Sequence, residues 1–195
     1  SGRPLPARVG LYDATGRLPL PSDDAIMVHR FADHVRRLWV SRRDSWPSEN
    51  RQIFYVDGGY EARVPAGTYE VVVTHGPEYR AHRGTVEVSA GGRALAAVAL
   101  DRYTDLPSQG WISGDTHIHL PRDIVDDDAV LMQVAAEDIH VSILLQMGNI
   151  SRVHFPQPAF GERGRYEENG YVVVSGQEDP RTGHRGHTMH FNLTR

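Results

Sequence analysis

The chain contains neither cysteine nor lysine. Without cysteine there is no thiolate nucleophile, no iron–sulfur cluster and no Cys-ligated zinc, and the redox compartment stays undecided. Without lysine there is no Schiff-base chemistry and no lysine nucleophile. All 21 basic side chains are arginine, a usage that reads as codon bias. No apolar run approaches the ~20 residues of a membrane-spanning helix. The 21 basic and 25 acidic side chains leave a net charge of −4, which argues against a nucleic-acid footprint. The start, Ser1-Gly2-Arg3-Pro4, has no apolar targeting segment. It is compatible with a removed signal peptide, so a secreted or periplasmic location stays open.

What remains is ordinary globular material. Hydrophobic residues make up 39% and charged residues 24% of 195, which rules out wholesale disorder. At about 150 residues per domain the length allows one or two domains.

Residues 1–104 read as short strands broken by turns. Residues 8–12 alternate, Asp57-Gly58-Gly59 and Pro65-Ala66-Gly67 are turn signals, and residues 52–56, 60–64, 68–73, 84–88 and 94–100 are strand-like. Five or six such strands predict a β-sandwich. Residues 23–43 fit either a helix, with Met27, Phe31, Val35 and Leu38 at helical spacing, or an irregular insertion. His29 and His34 there read as ordinary surface or packing residues.

The pattern changes between 102 and 110. Residues 111–120 are strand-like, with His117 and His119 on one face. Asp126-Asp127-Asp128 suits a helix N-terminus, and Val130, Leu131, Val134 and Ala135 form an apolar stripe. The apolar run 141–145 reads as a buried strand, so strand, helix and strand suggest a parallel β-α-β unit. Residues 171–174 and 188–193 are further strand candidates. The predicted fold class is α+β in two parts, a sandwich (1–104) and the first part of a distorted β/α barrel (105–195).

Seven of the eleven histidines lie between His117 and His190. Two histidines at i and i+2 on a strand sit ~7 Å apart on one face, close enough to converge on one ion. Their place at a strand end opening a β-α-β unit is where α/β barrels carry sites. Glu178, at the end of one strand, and His187, at the start of another, would add oxygen and nitrogen ligands. His184 reads as loop surface and His190 as structural.

These residues carry a resemblance. Gly110-Trp111-Ile112-Ser113-Gly114-Asp115-Thr116-His117-Ile118-His119 resembles the Gly-Asp-x-His-x-His opening of the polymerase-and-histidinol-phosphatase (PHP) domain. It is most similar to the branch of carbaryl hydrolase-type metallohydrolases, whose members often place a small β-domain before this motif. Gly176-Gln177-Glu178 and Gly186-His187 resemble the later Gly-x-Glu and Gly-His elements. The resemblance implies a distorted seven-stranded barrel with one to three divalent ions, zinc or manganese. It implies hydrolysis of ester, carbamate or phosphoester bonds in a small-molecule substrate by metal-activated water. By position, His117 and His119 would bind one metal, Glu178 would bind or bridge, and His187 would bind a second. Asp115 would support the histidine strand rather than ligate.

Two departures qualify it. Where the family has Thr-Asp-His, this chain has Gln146-Met147, poor ligands for a hard metal. Residues up to Arg195 are also too few to close the barrel, so the chain is expected to be a piece of a larger protein and a poor hydrolase by itself, with the missing segment as its partner. Alternatives are a non-catalytic, degenerate PHP domain and a β-sandwich binding module. Substrate, metal identity and oligomeric state are not legible here.

Overall fold

The computed structural model describes residues 3–16, 25–26, 53–149, 152–182, 184 and 186–194. They are mostly strands in two sheets, with one α-helix. The chain divides between Gln109 and Gly110 into two compact units, with Ala136–Asp138 grouped in the first.

The first unit holds an antiparallel sheet of β1 (Pro6–Tyr12), β2 (Ala25–Ile26), β3 (Phe54–Asp57), β4 (Gly67–Thr74) and β5 (His82–Val88), in the order β2-β3-β1-β4-β5. Its core follows from period-two alternation. Ala7, Val9 and Leu11 of β1, Phe54 and Val56 of β3, and Tyr69, Val71 and Val73 of β4 form one cluster. Tyr60, Ala62, Val64, Val98 and Leu100 pack against it, in two segments that join no ladder among the described residues. In place of the expected sandwich, the described residues of the first unit form one hydrogen-bonded sheet, with segments outside any ladder packed on its core. Alternation encodes a demand for burial, and packing satisfies it. A ladder needs in addition a free edge in register. Of residues 23–43 only Ala25–Ile26 is described, as β2, so the helix reading and His29 and His34 lie outside the described residues.

In the second unit, β6 (Gly114–Ile118), α1 (Asp127–Ala136) and β7 (Val141–Asn149) form a parallel β-α-β unit. A short 3-10 turn precedes α1. The Asp123 side chain accepts from the Ile124 N–H, and Asp126 accepts from the Asp123 N–H at 3.0 Å, a capping box. Val130, Leu131, Val134 and Ala135 are all buried, as their stripe requires. β8 (Arg152–His154) folds back on β7. β9 (Arg165–Glu168) forms a hairpin with β10 (Tyr171–Thr182) through Asn169-Gly170. Both turn residues have positive φ, 52° and 86°, as a two-residue type I′ turn demands. β10 lies parallel to β7, and β11 (Gly186–His190) is antiparallel to β10. The main order is β11-β10-β7-β6, and no barrel is closed among the described residues. Leu144, Leu145 and Val173 at its centre are 0% exposed. Among the described residues no helix is long and apolar enough to cross a membrane.

Candidate metal centre

The parallel pairing of β7 and β10 sets the position of Glu178. It lies in register with Met147, one alternation beyond the pair Gly176 and Leu145. Glycine at 176 is a packing requirement. A Cβ there would meet the side chains of Ile143 and Leu145 at 2.7 and 2.8 Å. Gly186 serves differently, starting β11 at φ 89°, a conformation that costs glycine nothing. At the end of β6, Asp115 Oδ1 accepts from the His117 N–H at 2.9 Å. That bond shapes the strand end and commits one Asp115 oxygen to the backbone.

These elements bring the imidazoles onto one carboxylate. Glu178 Oε2 lies 2.8 Å from His119 Nε2 and 3.3 Å from His117 Nε2. The two Nε2 atoms are 3.1 Å apart. The ligand atoms of His117, His119 and Glu178 all fall within 4.8 Å of one another. His187 Nε2 contacts the other carboxylate oxygen, Oε1, and lies outside this three-residue cluster. The Glu178 side chain is 1% exposed, against 45% for His117 and 54% for His187. The anion thus sits beneath a solvent-facing imidazole rim.

The donor set fits a divalent ion. His119 Nδ1 lies 3.3 Å from the Leu145 carbonyl oxygen, which can only accept, so Nδ1 carries the proton of that bond. A neutral ring then turns a bare Nε2 lone pair toward Glu178 Oε2. Two acceptors at 2.8 Å repel unless a proton or a metal ion joins them, and a metal ion is one way to satisfy the contact. Two imidazole nitrogens and a carboxylate oxygen are donors that hydrolytic zinc-type sites use, and a hydrogen bond from the far ring nitrogen is the usual way such a ligand is oriented.

Other expected positions are used differently. His190 Nε2 and Thr188 Oγ1 both bond the Asp179 carbonyl, at 2.8 and 3.0 Å. His184 is exposed. Gln146 Oε1 accepts from the Gln157 N–H at 3.2 Å, so it holds a loop. Sequence reasoning missed that loop. Gln157 Nε2 donates to the Leu120 and Phe155 carbonyls at 2.8 and 3.1 Å, and the Phe155 ring stacks on His119 with centroids 4.7 Å apart. It also missed Arg122, a buried guanidinium that donates to the Gly164 carbonyl at 2.6 Å and Ser175 Oγ at 3.1 Å. Burial lowers the Arg122 pKa, and burial raises that of Asp127 beside it. No periodicity or motif marks these residues in the sequence.

Comparison with known proteins returned no matching family model, curated protein or solved structure.

Proposed function

We propose that this chain carries the metal centre of a PHP-type, metal-dependent hydrolase acting on ester, carbamate or phosphoester bonds of a small-molecule substrate. One observation carries the reading: a fully buried carboxylate, Glu178, with imidazole Nε2 atoms of His117, His119 and His187 against its two oxygens. His117, His119 and Glu178 Oε2 would hold one zinc or manganese ion, and Glu178 Oε1 with His187 would serve a second. When bound, such an ion makes a water more acidic and polarises a carbonyl or phosphoryl group. The chain's own residues keep the nitrogens converged. Asp115 fixes the His117 backbone, Leu145 accepts from His119, and the exposed rim leaves access from solvent.

The test is elemental analysis of the purified protein and of His117→Ala, with turnover of activated carboxyl, carbamate and phosphate esters measured with and without added metal. Stoichiometric metal lost in the variant supports the metal centre, with little turnover expected from this chain by itself. Robust metal-dependent turnover would show that residues of this chain complete the site, against the expectation that it is a poor hydrolase alone. Equal and negligible metal in both proteins defeats the reading.

A further inference from the structure

The segment after β8 contains a contradiction between its backbone and its residue. Phe155 has φ 50°, a left-handed conformation that glycine or asparagine adopts readily and a bulky side chain does not. Such an outlier persists only when the surroundings over-determine it. Here they do. The Phe155 carbonyl accepts from Gln157 Nε2 at 3.1 Å, and the same nitrogen donates to Leu120 at the exit of β6. The Gln157 N–H is held by Gln146 of β7. The next carbonyl, of Pro156, accepts from the Arg122 N–H at 3.0 Å. Three ties therefore bind the 155–157 turn to the loop that follows His119 and to the strand beside it.

The aromatic ring that this turn presents lies on His119. The planes are within 28° and the centroids 4.7 Å apart. Stacking fixes the plane of the imidazole, and the Leu145 carbonyl fixes its rotation within that plane and which nitrogen bears hydrogen. Nε2 then has one direction left, toward Glu178 Oε2 and His117 Nε2.

We infer that Phe155 is a positioning residue for the metal centre: the Gln146–Gln157 tie holds its ring in the left-handed turn so that it clamps the His119 imidazole with Nε2 aimed at Glu178. The role assigned to Gln146 explains why a non-ligating side chain stands there. Its amide supports the clamp. This inference rests on the metal-site reading for its purpose, while the clamping of His119 is measurable without metal.

The test uses the full chain and two variants. Phe155→Gly suits the backbone and removes the ring; Phe155→Tyr keeps the ring. Cobalt(II) affinity is measured by chelator competition, the cobalt absorption spectrum is recorded, and the His119 ring is followed in the metal-free protein by nitrogen-15 and proton NMR. Outer-shell partners of a metal ligand are typically worth about ten-fold or more in affinity. Phe155→Gly should weaken cobalt binding by about that factor, alter the cobalt bands, and remove the ring-current shift and single-tautomer signature of His119. Phe155→Tyr should restore all three. A merely structural Phe155 would change the unfolding midpoint alone. Wild-type affinity, cobalt bands and His119 signature in Phe155→Gly would overturn the inference. A wild type that takes up no cobalt would defeat the metal reading, and the His119 signals would still decide the clamp: loss in Phe155→Gly sustains it, and retention removes it.

Discussion

Glu178→Gln separates a metal ligand from an ordinary buried ion-pair partner. The substitution keeps the shape of a side chain that is 1% exposed. It removes the charge and can place an amide donor opposite the His119 and His117 nitrogens, 2.8 and 3.3 Å away. In chelator at pH 8 the variant should be no less stable than wild type, because an amide N–H in place of Oε2 can donate to the His119 Nε2 lone pair that the carboxylate opposes. Metal reverses the comparison. At a free zinc concentration 100 times its dissociation constant, wild type gains ~2.7 kcal/mol from mass action. For a unit of this size unfolding by itself that is a rise of roughly 10–20 °C in the unfolding midpoint of the second unit. Glu178→Gln, lacking one of three donors that lie within 4.8 Å of one another, should gain almost nothing at that concentration. The assay is thermal unfolding by near-ultraviolet dichroism with chelator and with buffered zinc. An equal zinc-induced rise in both proteins would refute the reasoning. A loss of ~3–5 kcal/mol in chelator alone would identify Glu178 as the anion of a buried pair, since breaking such a pair costs that much.

Three further outcomes are expected. Tyr60, whose ring meets Phe54 edge-on with centroids 4.8 Å apart, has its phenol pushed by burial from 10.0 to about 12. Its stabilisation is fully present below pH 10 and is lost as pH rises through about 12, so urea midpoints should fall across that window less in Tyr60→Phe than in wild type. Asp123→Ala removes the side chain that caps the turn into α1 and should cost about 1 kcal/mol in chemical denaturation. His190→Ala should leave metal stoichiometry unchanged, because His190 Nε2 is committed to the Asp179 carbonyl; lost metal would place His190 among the ligands.

Much was legible because it depends on local rules. The alternation of Ala7, Val9 and Leu11 and of Tyr69, Val71 and Val73 encodes strands with one buried face, and the Val130–Ala135 stripe encodes a helix. The Asn169-Gly170 hairpin was also there to be read, since its turn type follows from the dipeptide, yet β9 went unrecognised because Arg165–Glu168 is charged except at Tyr166 and shows no apolar face. Residues 60–64 and 94–100 were read as strands and join no ladder among the described residues. Whether an extended segment finds a partner depends on which edge is free, and no local pattern states that.

For the site, the sequence by itself determined the candidate donors. His-x-His at a strand end, Gly176-Gln177-Glu178 and Gly186-His187 are all local patterns, whereas the need for a small residue at Gly176 comes from Ile143 and Leu145 on the neighbouring strand. The meeting of the donors was decided by tertiary structure. The parallel register of β7 and β10 sets Glu178 beside Met147 and carries it to His119, across 59 residues of chain. The same structure turned Gln146 toward Gln157 and laid Phe155 on His119. Hydrogen-bond partners and ring stacks between residues far apart in the chain arise from how elements pack, and packing is a property of the whole unit.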